Sequence, residues 1–137
     1  MGQQRWFVVL VIASMVGLVV QAAEKPPEDY QKAMKDLGAF SANIDKAVAS
    51  EDFETVGKLA LSARTAFEVV EAYWKGKAED AFELASTGNK QAFDLMAVAT
   101  QKSKEGAEYS TSEIKATCGA CHMAHREAQP DGSFLIK

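Results

Sequence analysis

Apolar residues recur at alternating steps of four and three along four consecutive stretches of the chain. No stretch sustains the two-residue alternation of a half-buried strand. The first stripe runs Tyr30, Met34, Leu37, Ser41, Ile44, Val48; the second runs Phe53, Val56, Ala60, Ala63, Phe67, Val70, Trp74. The third runs Ala78, Phe82, Ala85, Ala92, Met96, Ala99, and the fourth runs Ala107, Thr111, Ile114, Cys118, Cys121, His125. This period predicts helices over about 27–49, 51–75, 78–102 and 105–128.

The punctuation agrees. Pro26 and Pro27 stand where a helix start tolerates proline. Ser50 ends the first stripe and is placed to cap the second helix, with Glu51 and Asp52 in its favourable first turn. Lys75, Gly76 and Lys77 mark a break. Gly88 and Asn89 offer a second breakpoint inside the third stripe, but ending a helix there would join the preceding residues into one of about 36 residues, far above the usual length. The break near Gly76 is preferred. Pro130 and Gly132 stop the fourth helix, leaving a short tail through Phe134, Leu135 and Ile136.

Short links between four striped helices predict an all-α fold, an antiparallel up-down four-helix bundle forming one domain over 23–137. The stripes are rich in Ala and poor in Leu, so this core is thin. A buried flat cofactor would supply the missing apolar bulk.

Residues 1–22 read differently. Arg5 gives a short positive region, an apolar run follows from Trp6 to Val20, and small residues come at Ala22 and Ala23, the order of a secretory signal peptide. The run of some 15 residues falls short of the ~20 that span a bilayer, so cleavage after Ala22 is expected, with membrane contact only before cleavage. Gly2 is no myristoylation site, because Trp6 stands where Ser or Thr is required. Losing Arg5 takes the formal charge from −4 to −5. A mildly acidic domain without a Lys/Arg cluster has no reason to seek nucleic acid, and favours a basic partner surface.

Only two cysteines are present, Cys118 and Cys121. An exported chain ordinarily uses such a pair as a disulfide, but closing so short a loop restrains almost nothing. The thiols are there for chemistry. With their neighbours they read Cys118-Gly119-Ala120-Cys121-His122, the attachment signature of c-type haem. Residues three and four apart share a helix face, so both thiols reach one haem edge, each forming a thioether with a vinyl group. His122, four on from Cys118, can rise to the iron from the same side. Gly119 and Ala120 keep the surface low where the porphyrin approaches. A thioredoxin-type dithiol needs a strand-to-helix setting, which the pattern does not offer. A zinc site needs four protein ligands, and only His125 is near.

Four helices with this motif in the last one resemble the class II c-type cytochromes, cytochrome c′ and its low-spin relatives. The resemblance covers the mature chain and extends to Arg126, four positions after the haem His, and to Met34-Lys35-Asp36-Leu37-Gly38 on the distal side in the first helix. It implies one haem c per chain, with Cys118 and Cys121 as the thioether residues and His122 as the proximal iron ligand. It also implies a periplasmic location, an unidentified redox partner protein, and pairing into homodimers. Two details depart from it: His125 replaces the usual Phe or Tyr before the Arg, and the tail from Asp131 to Lys137 runs past the end of commoner members.

The accessory residues also have ordinary roles. Arg126 suits a helix C-terminus through the dipole or acts beside His122. His125 projects from the same side as His122, so it cannot be the opposite ligand; it is a packing or hydrogen-bonding neighbour of the haem, or solvated. Trp74, Phe67 and Phe82 are core residues first. Met34 is the candidate sixth ligand. First and last helices of the bundle are antiparallel neighbours, which sets Met34 near His122 in height, whereas Met123 shares the haem helix and Met96 lies more than ~10 Å away along the axis.

Single-electron transfer is therefore the expected function. The alternative is five-coordinate iron that binds nitric oxide or carbon monoxide. An enzyme would need a placed distal acid/base pair, which the first helix does not supply, so no catalytic residue is assigned.

Overall fold

In a computed structural model, residues 23–137 are described; the expected signal peptide, 1–22, lies outside them. Four helices of 22 residues each follow one another: α1 Glu28–Ala49, α2 Phe53–Trp74, α3 Glu79–Thr100 and α4 Lys104–His125. The links are three or four residues long, Ser50–Asp52, Lys75–Ala78 and Gln101–Ser103, so consecutive helices run antiparallel. Each packs on its sequence neighbours, and α4 closes the ring against α1. That last seam is the loosest of the four.

The apolar stripes face inward. Tyr30, Leu37, Ile44 and Val48 of α1 are buried with Val56, Phe67, Val70 and Trp74 of α2, Leu95 of α3 and Ile114 of α4. The rest of the core is largely alanine, including Ala60, Ala63, Ala81, Ala92 and Ala107 with no exposed surface at all. Small residues on facing stripes let helix axes approach closely, which trades large apolar side chains for tight backbone packing.

The capping differs from the sequence expectation in one place. Ser50 does not cap α2: it ends α1, its hydroxyl donating to the Lys46 carbonyl at 2.9 Å. Asp52 is the N-cap, its carboxylate accepting from the Thr55 N–H at 3.1 Å. The cause lies in the link. Glu51 takes a left-handed conformation with φ of 56°, which adds one residue of turn before the helix can begin.

The third helix runs unbroken through Gly88 and Asn89. Gly88 is buried, and a Cβ there would collide with the Phe67 ring of α2. This glycine is a notch for an aromatic ring, and the helix break comes at Gly76, with φ of 75°. Gly88→Ala should therefore destabilise the fold despite gaining ~1 kcal/mol of helix propensity, because overpacking a filled core costs ~1–3 kcal/mol. Urea denaturation should show a net loss, larger for Gly88→Val and relieved by Phe67→Leu. A stabilised Gly88→Ala would mean that Phe67 is free to move.

The second difference is at the C-terminus. The fourth helix stops at His125 rather than near 128, and a small antiparallel hairpin follows: β1 Arg126–Ala128 pairs with β2 Phe134–Ile136. The turn is Gln129-Pro130-Asp131-Gly132, closed by Gly132 N–H to the Gln129 carbonyl at 3.0 Å, with Gly132 at φ of 83°. Proline at the second turn position and a left-handed glycine at its end suit such a turn. Glu24 joins from the other terminus, exchanging both backbone hydrogen bonds with Ile136 at 2.9 and 2.8 Å. Ile136 is buried, so the tail is a clasp closing one end of the bundle.

Candidate functional site

Cys118, Gly119, Ala120, Cys121 and His122 occupy the last two turns of α4. Both thiols are free and half-buried, packed against the core, while Gly119 and Ala120 between them are exposed. Nothing lies within 4 Å of where a Cβ on Gly119 would project. A flat group could therefore approach this helix face without obstruction from the two residues between the thiols.

Desolvation by burial raises both thiols above their ordinary range. Cys121 is pushed up to about 11, helped by the nearby Cys118 and Asp80. Such cysteines stay protonated at neutral pH. A thioredoxin-type dithiol needs the opposite, a thiolate favoured by a positive neighbourhood.

His122 is half-buried, and its imidazole is held below the ordinary value, first by desolvation and then by the positive charge of Arg126. The neutral ring, the form that binds metals, is thereby favoured. Arg126 Nη1 stands 3.3 Å from His122 Nδ1; the guanidinium can only donate, so Nδ1 accepts and the proton of the neutral ring sits on Nε2. A metal at Nε2 would require that proton to move to Nδ1. Among the described residues no three or more His, Cys, Asp or Glu side chains converge, so a bare ion finds no tetrahedral protein cage here.

His125 is a structural link. Its ring lies against Trp74 with centroids 4.8 Å apart, Nε2 is 2.8 Å from the Asp80 carboxylate, and Nδ1 is 3.3 Å from the Lys137 carbonyl. Trp74 in turn donates its indole N–H to the Tyr30 hydroxyl at 3.1 Å, and Tyr73 packs on both rings. All four helices and the tail thus meet around Trp74. Burial pushes the Tyr30 hydroxyl up to about 12, so it remains a neutral partner for the indole.

The hydrogen bond from His125 is the main cause that holds the exposed Asp80 carboxyl below its usual range. A carboxylate depressed in the folded state contributes stability that is present above its unfolded value of about 3.9 and lost as pH falls through the folded value. The denaturation midpoint of wild type should therefore exceed that of Asp80→Asn near pH 5, with the gap closing as pH falls below the unfolded value. High salt should shrink it. A gap independent of pH would show that the Asp80 charge contributes nothing.

Two cross-links fix the level of α1 against α4. Lys115 pairs with Asp45 at 2.5 Å, and counting equally in opposite directions (45 − 34 = 11; 115 + 11 = 126) sets Met34 opposite Arg126. Tyr30 and His125 both reach Trp74 of α2, a looser marker that puts Met34 near the level of Cys121. His122 lies between, so Met34 is within about one turn, ~6 Å, of its level. Met34 is half-buried and packs against the core; Met123 is 82% exposed. A cleft of about 430 Å³ opens farther along the α1–α4 seam, lined by Asp45, Val48, Thr111 and Lys115, three residues before Cys118.

No protein-family model, curated protein or solved structure matches the chain. Among the described residues, no helix is long and apolar enough to cross a membrane.

The sequence stripe included Cys118, Cys121 and His125, and they do line one face of α4. It did not reveal Asp80, Tyr30 or Phe134 as partners of that face. Only for Phe134 was there a signal, the Pro130-Asp131-Gly132 turn that folds the tail back.

Proposed function

We propose that the chain is an exported class II c-type cytochrome, periplasmic once its signal peptide is removed, which carries one covalent haem and transfers single electrons. The observation that supports this most is Cys-Gly-Ala-Cys-His on the last helix of a four-helix bundle, with both thiols unpaired and half-buried on one face. Cys118 and Cys121 would hold the haem as thioethers, and His122 would bind the iron. The loose α1–α4 seam is where the helices can part to accept a flat group. Haem c supplies the one-electron iron couple, while axial ligation, burial and nearby charge set its potential.

The chain's own residues have distinct tasks in this reading. Burial first, and the Arg126 guanidinium second, disfavour the protonated form of His122. His125 does not face the iron from the far side; it ties α4 to Asp80, Trp74 and the chain end. The acidic domain would meet a basic redox partner, and pairing into a homodimer is part of the same proposal.

One observation favours a second reading, five-coordinate iron that binds nitric oxide or carbon monoxide. Met34 packs against the core, as a gap-filling methionine does, and need not turn to iron. The ferric spectra of wild type and Met34→Ala separate the two. Electron transfer with His/Met ligation gives a thioether-to-iron charge-transfer band near the red edge in wild type, lost in the variant. High-spin iron in both, with rapid carbon monoxide uptake by the ferrous wild type, removes Met34 as a ligand and leaves the gas-binding reading.

A further inference from the structure

Phe134 is 40% exposed on the terminal hairpin, and one face of its ring is covered. The cover is Arg126, whose guanidinium carbon sits 3.1 Å from the Phe134 ring centroid. Register explains the contact. Arg126 pairs with Ile136 and Ala128 with Phe134, so Arg126 and Phe134 are diagonal neighbours on one face of the ribbon, within reach of long side chains. The other side of the same guanidinium reaches His122 Nδ1 at 3.3 Å. Arg126 also leaves the helix here, its backbone N–H donating to the His122 carbonyl as the C-cap. Independently of the contact with His122 Nδ1, the side chain is held at its base by the helix cap and along its plane by the ring.

We infer that Phe134 is a positioning residue for the haem site: its ring holds the Arg126 guanidinium beside the His122 imidazole, and the fixed positive charge there raises the reduction potential. This rests on the proposed haem ligation by His122.

The sign follows from charge. Oxidation of ferrous iron adds one positive charge to the iron–imidazole unit, and a guanidinium held against the ring makes that addition less favourable. Iron at Nε2 leaves Nδ1 carrying its proton, so Arg126 then acts as a neighbouring charge rather than as a donor to Nδ1. An arginine on a flexible stem would swing into water and be screened. Stacking on an aromatic face, a cation–π contact, keeps it in place. The terminal hairpin therefore does more than close the bundle. Phe134 and the turn at Pro130–Gly132 would tune the centre through a contact that the fourth helix could not make alone, because β1 and β2 are needed to bring the ring over the charge. Electronic tuning of a ligand by groups behind it is general for metal sites.

The test uses the mature holoprotein. Redox titration should give a lower potential for Phe134→Ala than for wild type, a lower one for Arg126→Gln, and no further drop when both changes are combined. Phe134→Tyr keeps the ring and should restore the wild-type potential. In nuclear magnetic resonance spectra, the Arg126 side-chain signals should carry a ring-current shift that disappears in Phe134→Ala, with or without haem. An unchanged potential in Phe134→Ala beside a clear drop in Arg126→Gln overturns the inference. So does a Phe134→Ala drop that persists in the Arg126→Gln background, since that would come from loosening the hairpin. Wild-type chain without covalent haem sinks the proposed function and this inference together, whereas haem without these shifts sinks the inference alone.

Discussion

Replacing both Cys118 and Cys121 by Ala should leave the exported chain with no covalent haem. Each thiol would contribute one thioether, so either single variant should retain a haem bound through the remaining cysteine, in lower yield. The pair sits three residues apart on the last turns of α4 with two small exposed residues between, which gives both sulfurs access to the same edge of a flat group. Pyridine haemochrome spectra after acid–acetone extraction measure the difference. The effect should reach the fold as well. A covalent haem stays on the chain when it unfolds, but its apolar faces would leave water only in the folded state, and an alanine-rich core has few large side chains with which to replace that contribution. The double variant should show weaker helical circular dichroism and a broader thermal transition. An equally stable, cooperative double variant would separate the fold from its cofactor.

Trp74→Ala should produce the largest loss of stability of any single core change. The ring is 4% exposed, carries the indole bond to Tyr30, and meets Tyr30, Tyr73 and His125 edge-on or tilted. Truncating a buried Trp costs ~3–5 kcal/mol, against a total stability of about 5–15 kcal/mol for a domain. The melting temperature should fall by more than about 10 °C. Trp74→Phe isolates the polar part: it leaves the buried Tyr30 hydroxyl without its donor, at ~1–3 kcal/mol, and combining it with Tyr30→Phe should recover most of that loss. A Trp74→Ala variant that melts within a few degrees of wild type would show that this junction does not hold the bundle end together.

Much of this fold is legible in sequence because a four-helix bundle is built from local periodicity. Leu37, Ile44, Phe67, Val70 and Ile114 announce their faces by spacing alone, and the helix ends fall near their proline, glycine and polar signals. The failures have physical causes. Glu51 accepts a left-handed backbone that its type does not advertise, and this moved the cap from Ser50 to Asp52. The preferred break at Gly76 holds, while the burial of Gly88 under Phe67 is a tertiary fact that no local pattern displays. The strands β1 and β2 span three residues each, too few to display a two-residue period, and the expected fourth helix ran on over β1 to about 128. The turn that creates them, Pro130-Asp131-Gly132, was visible but read as a stop. At the candidate site, the placing of Cys118, Cys121 and His122 together near the end of α4 was legible because it depends on sequence spacing alone. Asp80 and Phe134 were not, and Trp74 was legible as core but not as the partner of His125, since pairings across 45 residues or more, or through a hairpin, leave no local pattern.

Intact-protein mass spectrometry tests the central claim most directly. The wild-type chain should be produced with its N-terminal segment in a host that has the haem-attachment machinery, then denatured to strip any loosely held group. The account predicts a soluble product that lacks residues 1–22 and begins at Ala23, with the added mass of one haem on the peptide containing Cys118 and Cys121. A product whose mass is that of the bare polypeptide, with both thiols free to react with an alkylating agent, would contradict it.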